Sequence, residues 1–579
     1  MESSYGHPPL NDVLGAMSNY IFYQKLGVLG DIESYHLYII LTVATLAFVV
    51  AIFLWKEFGI FESVLASLVL ATYPLLIGEQ HFNIKDPIEA SYYAMTIIFF
   101  YLGIKKLSKW WMLLSIISFG LALSTKFNIL FSIIPMGIWL IYSQKVKVFK
   151  TILKFKTLLI LAPVIVLAIL VGSYPTIWKD PVAGILEIIR FYLVAGHAQS
   201  QPTSYYLFGF INTYPIQWII YTTPPIVLVL LALGIVFSKK LVVQNKFFLL
   251  VALWFLTNIA RISLFNALSY GGVRLIMEFI PALAIIVGIT GDYILNLSKS
   301  KLYKVLVILI IFLGFIPTVI KLTKIHPNEN TYFNFLVGGL KGAQEKGINS
   351  WGNTNGSSYY PAIVWINENA PKDIKLTLPV NLIGNIPRYK LRKDISLSDT
   401  YWSGPNHAGE YVIELTYDYP PMQWYALKYL NTVMIPQYEV QVDGVSITKV
   451  WKNSPEFVRD EFKNQKSEIR KVEANKNTLT INLPRLEKVM QVSITNVPIR
   501  NCSAVKTGYV RTSIDGINWT REPEDIALDQ IRQSKFRGLE NEFNFFFVSK
   551  EAKIIVFEVN NEDSCLLKAT NATIRSLAN

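Results

Sequence analysis

Long apolar runs occupy roughly the first 325 residues of the chain and do not recur after them. Several runs approach the ~20 residues that an α-helix needs to cross the hydrocarbon core of a bilayer. Trp110–Ser124 and Phe127–Tyr142 are shorter and could instead be re-entrant or buried among other helices. The pattern predicts about ten membrane spans, at His36–Trp55, Phe61–Gly78, Ile88–Gly103, Trp110–Ser124, Phe127–Tyr142, Leu158–Val171, Trp218–Phe237, Phe247–Ile262, Leu275–Ile294 and Lys304–Ile320.

Lysines are concentrated in alternate connections between the predicted spans. Because cytoplasmic loops of multi-pass proteins carry an excess of Lys and Arg, these connections are predicted to face the cytoplasm. The connections at residues 1–35, 79–87, 172–217 and 263–274 are then external, and so is the chain after Ile320. The lysines concerned are Lys56, Lys105, Lys106, Lys109, Lys145, Lys147, Lys150, Lys154, Lys156, Lys239, Lys240, Lys246, Lys299, Lys301 and Lys304.

Two segments of the predicted external loops have the apolar periodicity of an amphipathic helix. They are Asp12–Leu26 and Gly184–Gly196. Helices of this kind lie in the headgroup plane of a bilayer, although ordinary packing against the bundle would give the same pattern. No span precedes residue 36, so we expect the chain to lack one upstream helix, unless His36–Trp55 inserts with its amino terminus outside.

The composition changes after His326, where strand-like and helix-like pieces replace the long apolar runs. Asp443-Gly444 predicts a hairpin between two of the strands. Residues 470–579 contain short strands separated by turn signals, a pattern typical of a β-sandwich. The sequence therefore predicts three domains. They are an α-helical polytopic membrane bundle at 1–323, an extracytoplasmic α/β domain at 324–455 and an extracytoplasmic β-sandwich at 456–579.

The composition supports an integral membrane protein, and we expect it in the plasma membrane. Charged residues make up 16% of the chain, against about 25% in soluble proteins, and the mean hydropathy is +0.36. The net charge is +13, but no nucleic-acid-binding motif accompanies it, so we attribute it to topology and expect no nucleic-acid partner. Cys502 and Cys565 are the only cysteines, which excludes a thiolate zinc cluster. They could form a disulfide or remain as two thiols.

Charged and imidazole side chains gather in the predicted external loops, where polar groups beside a membrane are costly unless they are used. Cations and carboxylates on one side of a membrane suit the recognition of a lipid-linked phosphate, since guanidinium groups match phosphate oxygens. The candidates are His7 in His7-Pro8-Pro9-Leu10, then Glu79, His81, Lys85 and Asp86 before Pro87, then Lys126 after Ser124-Thr125, and Arg274.

Each of these residues also has a purely structural interpretation. Asp86 precedes a proline at a predicted helix start, where a carboxylate can cap the helix. Lys126 could extend its side chain from the bundle to the membrane surface. Arg274 could form an ion pair with Glu278, one turn later on the same helix.

The order of these motifs resembles the protein O-mannosyltransferases and the lipid A aminoarabinose transferases of the C-type glycosyltransferase superfamily. The resemblance covers roughly residues 1–345. It rests on His7-Pro8-Pro9-Leu10, Lys85-Asp86-Pro87, Gly120-Leu121-Ala122-Leu123-Ser124-Thr125-Lys126, Gly271-Gly272-Val273-Arg274, and Tyr332-Phe333-Asn334 with Gly338-Gly339.

The resemblance implies an inverting transfer of a mannose-like sugar from a polyprenyl-phosphate donor at the outer membrane face. The acceptor would be a protein, a lipid or a glycan. Asp86 would be catalytic, supporting the acceptor or the base that removes the acceptor's proton. A divalent metal, used by some relatives only, would involve His81 and Glu79. The residues that would bind the donor phosphate are His7, Lys85, Lys126 and Arg274.

One departure from the family keeps an alternative function open. The family carries its catalytic acidic motif upstream of the HPPL segment, and Glu2 does not match that motif. The alternative is a catalytically inactive membrane anchor that presents a carbohydrate-binding domain. Ser513-Ile514-Asp515-Gly516-Ile517-Asn518-Trp519 resembles a turn of discoidin-like β-sandwiches, many of which bind carbohydrate. An Asp-Gly hairpin with a packed tryptophan would give the same pattern.

Overall fold

The chain forms two compact units, residues 1–357 and residues 358–579, in a computed structural model of the protein. The predicted boundaries near 323 and 455 stay predictions. The structure describes residues 8–195, 205–264, 269–352, 356–380, 383–416, 425–495, 509–521, 542–558 and 565–578.

The first unit is helical, as the apolar pattern predicts. Its helices are α1 (Leu10–Asn19), α2 (Asp31–Glu57), α3 (Ile60–Thr72), α4 (Pro74–Glu79), α5 (Asp86–Lys106), α6 (Lys109–Leu123), α7 (Ile133–Gln144), α8 (Val148–Lys154), α9 (Lys156–Gly172), α10 (Pro181–Ala195), α11 (Tyr214–Thr222), α12 (Pro225–Val236), α13 (Ser238–Gln244), α14 (Lys246–Ser263), α15 (Phe279–Leu295), α16 (Lys301–Ile325) and α17 (Gly339–Glu345). A two-stranded ribbon joins β1 (Tyr206–Leu207) to β2 (Ile211–Asn212).

Several of these helices are long and apolar enough to cross a membrane. Among the described residues they are α2, α5, the segment Phe127–Lys154, α14 and α16. The pair α12 and α13 passes the same criterion together but bends by 74°. Shorter apolar helices, α3, α6, α9 and α15, lie between them. The prediction of a helical bundle with several spans is confirmed, while the count of ten stays a prediction.

Two predicted spans are broken by prolines. The predicted span Phe61–Gly78 divides at Tyr73 into α3 and α4, because Pro74 lacks the N–H that would continue the helix. The predicted span Trp218–Phe237 divides in the same way between α11 and α12, at Pro224-Pro225. The sequence pattern recorded apolarity across these breaks but not the lost hydrogen bonds.

The second unit contains most of the β-structure. Its first sheet has five strands in the order β4-β3-β5-β7-β6, and helices α18 (Tyr359–Asn369), α19 (Tyr425–Val433) and α20 (Asp460–Lys463) accompany it. The Asp443-Gly444 hairpin is confirmed, with positive φ angles of 54° and 76°. The strands are β3 (Lys375–Thr377), β4 (Ser396–Leu397), β5 (Tyr411–Leu415), β6 (Tyr438–Val442) and β7 (Val445–Lys452).

The second sheet has six strands in the order β11-β10-β12-β9-β13-β8, with an additional pairing of β8 to β9. The region is rich in sheet, as predicted, but a sandwich arrangement stays a prediction. Cys502 and the Cys565 side chain lie outside the described residues. The strands are β8 (Gln465–Asn475), β9 (Thr478–Thr495), β10 (Tyr509–Ser513), β11 (Trp519–Arg521), β12 (Glu542–Glu558) and β13 (Asn571–Leu577).

The Asp515-Gly516 turn follows the hairpin interpretation. Asp515 Oδ1 accepts hydrogen bonds from the backbone N–H groups of Ile517 (2.8 Å) and Asn518 (2.7 Å). The turn connects β10 to β11. Trp519 is 38% exposed, so its indole is not packed in a core. Carbohydrate binding at this turn stays a prediction.

Candidate active site

Asn83 organises the short loop between α4 and α5. Its Oδ1 accepts hydrogen bonds from the backbone N–H groups of Lys85 and Asp86, both at 3.1 Å. Its Nδ2 donates to Glu79 Oε2 and to Asp86 Oδ2, both at 2.7 Å. Asn83 thus satisfies the N–H groups at the start of α5 and orients two carboxylates. The interpretation of Asp86 as the cap of α5 is wrong, because its own carboxylate makes no capping bond.

The Asp86 carboxylate holds two cations from distant parts of the chain. Lys126 Nζ lies 2.8 Å from Asp86 Oδ1, and Arg274 Nε lies 3.0 Å from Asp86 Oδ2. Arg274 Nε is also 3.9 Å from Glu79 Oε2. The Asp86 side chain is only 7% exposed, so these pairs are poorly screened by solvent. We call the set of Glu79, Lys85, Asp86, Lys126 and Arg274 the Asp86 cluster.

Two glycines place Arg274 against Asp86. Gly271 and Gly272 both have positive φ angles, 68° and 72°, a conformation that favours glycine. The Gly272 N–H donates to the Tyr214 hydroxyl at 2.8 Å. A Cβ on Gly272 would lie 3.0 Å from the Trp218 ring. The Gly-Gly pair therefore allows the close approach of this loop to α11, and the loop leads directly to Arg274.

Lys126 is held from both sides. Thr125 Oγ1 donates to Asn11 Oδ1 at 3.3 Å, which ties α1 to the end of α6. Lys126 Nζ also lies 3.5 Å from the Arg274 carbonyl oxygen. The interpretation of Lys126 as a side chain reaching the membrane surface is wrong, because its ammonium group is bound inside the cluster.

The electrostatics keep Lys126 and Arg274 charged. Burial alone would lower the pKa of Lys126, but the nearby carboxylates, with Asp86 first, outweigh burial and raise it. The pKa of Arg274 is likewise raised, because Asp86 and Glu79 outweigh its burial. Burial lowers the pKa of Lys85, although Asp12 and Asp86 oppose that shift. Besides the two carboxylates of the Asp86 cluster, Glu278 and Glu89 also act on Lys126, so the site carries both signs of charge.

A second charged network lies deeper in the bundle. Arg261 Nη2 is 3.4 Å from both carboxylate oxygens of Glu278 and donates to the Leu275 carbonyl oxygen. Asn128 Nδ2 donates to Glu278 Oε1 at 2.8 Å. The expected pair of Glu278 with Arg274 is wrong, because Arg274 lies in a 3₁₀ turn, Gly272–Ile276, and faces Asp86. Arg261 thus anchors the loop that carries Arg274.

The sequence motifs do not include Glu89 and Arg261, although the sequence carries a signal for both residues. Both are ionisable residues inside predicted membrane spans, and such residues are costly unless they have partners or a function. Glu89 is 1% exposed and lies one turn after Asp86 on α5, and Arg261 is 7% exposed. Their positions within Ile88–Gly103 and Phe247–Ile262 would have identified them.

The two predicted metal ligands, Glu79 and His81, have different neighbours in the structure. Glu79 is bound to Asn83 and lies beside the Arg274 guanidinium, a setting that disfavours a cation. Burial lowers the pKa of His81, and the neighbouring groups that also act on it are Glu329 and His326. The described residues contain no group of three or more His, Cys, Asp or Glu that could hold a metal ion. The assignment of a divalent metal to His81 and Glu79 stays a prediction.

His7 lies outside the described residues, so its place beside the cluster stays a prediction. The segment that follows it is placed, because α1 starts at Leu10 and Asn11 reaches Thr125. The structure therefore brings together Lys85, Asp86, Lys126 and Arg274 from the predicted set. Glu79 joins them, whereas His81 does not.

The fold and the Asp86 cluster define a multi-pass helical protein with a charged site on its predicted external side. Residues 6–178 match the family model described as dolichyl-phosphate-mannose-protein mannosyltransferase. That range includes the Asp86 and Lys126 motifs and ends before Arg274. The resemblance to the protein O-mannosyltransferases predicted from the motifs is thereby confirmed over residues 6–178. No curated protein matches the chain significantly.

Solved structures similar to the chain have low sequence identity. ArnT from Cupriavidus metallidurans in the apo state is 14% identical, with a TM-score of 0.43, over 78% of this chain and 88% of that one. The Archaeoglobus fulgidus oligosaccharyltransferase is 11% identical, with a TM-score of 0.44, over 96% of this chain and 86% of that one. The mycobacterial arabinofuranosyltransferase AftD is 9% identical, with a TM-score of 0.36, over 98% of this chain and 55% of that one.

Proposed function

We propose that the protein is a membrane glycosyltransferase that takes a mannose-like sugar from a polyprenyl-phosphate donor. The acceptor is a protein, a lipid or a glycan at the outer membrane face. The observation that carries the proposal is the pairing of Lys126 and Arg274 to one buried carboxylate on the predicted external side. The family match over residues 6–178 supports the donor class.

In this proposal the cations of the Asp86 cluster bind the donor's phosphate. The Arg274 side chain is 31% exposed, and its planar guanidinium carries five N–H donors that match phosphate oxygens. Lys126 and Lys85 add positive charge beside it. His7 is expected to complete the set from the segment before α1. The phosphate would then bind on the open side of Arg274, with Asp86 behind it.

Asp86 orients the cations rather than accepting the proton. Its two carboxylate oxygens already accept hydrogen bonds from Lys126, Arg274 and Asn83. Cations held in place before the reaction stabilise developing charge without reorganising, which is the most effective form of electrostatic catalysis. Asp86 is therefore a positioning residue in this proposal, and the proton acceptor is a different carboxylate.

The reaction breaks one bond and forms another at the anomeric carbon. The acceptor oxygen attacks from the side opposite the phosphate, and the electron pair of the departing C–O bond moves to the phosphate oxygen. The acceptor's proton passes to a carboxylate base, a step that contributes about 10²–10⁴-fold. Lys126 and Arg274 stabilise the departing phosphate. In comparable sites, removing one such donor lowers kcat by about 10²–10³-fold.

The test is sugar transfer by the Asp86→Asn variant of the full-length protein in vesicles with a radiolabelled polyprenyl-phosphate mannose donor. We expect transfer to fall at least about 100-fold, because Lys126 and Arg274 lose their common anchor. Asp180→Asn is the matched control. Asp180 also precedes a proline at a helix start, but its Oδ1 does cap the helix, at 3.0 Å from Ala183 N.

Full transfer by Asp86→Asn, at normal expression, would contradict the positioning role. A wild-type protein that neither transfers the sugar nor binds the donor would contradict the transferase itself and favour the alternative of an inactive anchor. Equal losses in Asp86→Asn and Asp180→Asn would attribute the effect to helix starts in general, which also contradicts the proposal.

A further inference from the structure

A cavity of about 590 Å³ opens at the end of α5 opposite Asp86. Because α5 runs from Asp86 to Lys106 and a helix rises 1.5 Å per residue, its two ends are about 30 Å apart. Tyr101 and Trp139 belong to the apolar part of the lining, with ring centroids 5.6 Å apart. The volume falls in the range of sites that hold small molecules.

Lysines dominate the polar lining of this cavity, and no lining residue is a carboxylate. Lys105 pairs at 2.6 Å with Glu57, which does not line the cavity. In the part of the chain that the structure describes, Lys147, Lys150 and Lys154 form no ion pair within 4.0 Å. The lysines that line the cavity are Lys105, Lys147, Lys150, Lys154 and Lys246. Such a concentration of positive charge favours an anionic occupant.

The cavity wall is built from fixed groups. Trp139 Nε1 donates to the Lys246 carbonyl oxygen at 2.7 Å. Lys246 Nζ donates to the Ser143 carbonyl oxygen at 3.2 Å. Trp139 is only 3% exposed. The wall therefore joins the end of α7 to the start of α14, and the mouth between them exists before any ligand binds.

The short helix α8 and the 3₁₀ turn Lys145–Lys147 before it form an amphipathic segment at the mouth of the cavity. Lys147, Lys150 and Lys154 follow one another at the spacing of a single helical face and line the cavity. Phe149 on the same segment is 70% exposed, and Val146 is 96% exposed. A cationic face beside exposed apolar side chains is typical of helices at the boundary between headgroups and acyl chains.

We propose that this cavity binds the phosphate headgroup of an anionic membrane phospholipid. The ammonium groups of Lys147, Lys150 and Lys154 would contact the phosphate oxygens, while Phe149 and Val146 would lie against the acyl chains. Basic pockets between helices on the cytoplasmic side are suited to such headgroups, and the lysine pattern predicts that side here. The proposal is independent of the transferase function, because it concerns the other end of α5.

The experiment compares lipid binding by two double variants of the full-length chain. The protein is extracted from vesicles of phosphatidylcholine and phosphatidylglycerol, and retained phosphatidylglycerol is counted by native mass spectrometry. Lys150→Gln with Lys154→Gln should weaken binding by about fivefold per lysine, about 25-fold together. Lys239→Gln with Lys240→Gln is the control, since it removes the same charge from a neighbouring connection outside the cavity. The control should bind like the wild type.

Three outcomes would overturn the proposal. The first is equal retention by the cavity variant and the wild type. The second is equal loss in the control, which would show attraction by general surface charge. The third is tight binding of inorganic phosphate alone that depends on Lys150 and Lys154, without any preference for phosphatidylglycerol. If the double variant does not fold, Lys147→Gln provides the same test, with an expected fivefold effect, about that of one lysine.

Discussion

The two ends of α5 hold their cations in different ways. At the Asp86 end, Lys126 and Arg274 are bound to the same carboxylate, and that carboxylate is 7% exposed. At the Lys105 end, Lys105 and Lys106 also share one carboxylate, that of Glu57, but among the described residues Lys147, Lys150 and Lys154 line the cavity without an ion pair within 4.0 Å. Cations fixed by a carboxylate suit catalysis, which needs a preorganised site. Lysines without an ion pair suit the binding of anionic lipid headgroups.

The comparison predicts very different costs for removing one lysine at each end. Lys126→Ala leaves the buried Asp86 carboxylate with Arg274 alone, so we expect a loss of about 3 kcal/mol of stability, the low end for breaking a buried ion pair. Lys105 is 46% exposed, and Glu57 retains Lys106 at 2.9 Å, so Lys105→Ala should cost less than about 1 kcal/mol. Thermal unfolding of both variants in one detergent provides the measurement. Equal costs would remove the distinction between the two ends.

A smaller effect is expected from pH, which should change donor affinity at the Asp86 end through the charge of Lys85. Burial lowers the pKa of Lys85 from its ordinary value of 10.5. As pH rises, Lys85 therefore becomes neutral before pH 10.5 is reached. The pKa of Lys126 is raised, so Lys126 keeps its charge there. Donor affinity should therefore fall a few-fold as pH rises toward 10.5. Lys85→Arg should remove this step, because arginine stays protonated.

Donor affinity measured by titration at several alkaline pH values tests this expectation. The wild type and Lys85→Arg should agree near neutral pH and diverge only in the alkaline range. A step of the same size in both proteins would assign the titration to another group, and Lys85 would then have no part in binding.

That Asp86, Lys126 and Arg274 lie close together could be predicted from the sequence, but their contacts could not. Lysine alternation predicts that the three residues share one side of the membrane, and the structure brings them together. The pairs themselves join residues 40 and 188 positions apart, and no local pattern encodes such a distance. For the same reason, the structural interpretations of Asp86 as a helix cap and of Arg274 as the partner of Glu278 used near neighbours in the sequence. In the structure, Asp86 and Arg274 pair with each other.

The sheet region shows a similar limit. The short strands predicted after residue 470 include Leu479–Leu483 and Val489–Thr495, with turn signals between them. The structure continues β9 through both, and the pairing with β12 shifts register between Ala552 and Ile554 to pass Pro484. A bulge of this kind depends on the partner strand, so the sequence of β9 alone does not predict it.

Donor binding tests the central claim that Lys126 and Arg274 hold the sugar carrier's phosphate. The measurement is the affinity of the full-length protein for a polyprenyl-phosphate-linked sugar, in wild type, Lys126→Ala and Arg274→Ala. Each variant should bind at least about tenfold more weakly, since each loses a charge-assisted hydrogen bond to phosphate, while Lys105→Ala binds normally. Unchanged affinity in both Lys126→Ala and Arg274→Ala would contradict the account.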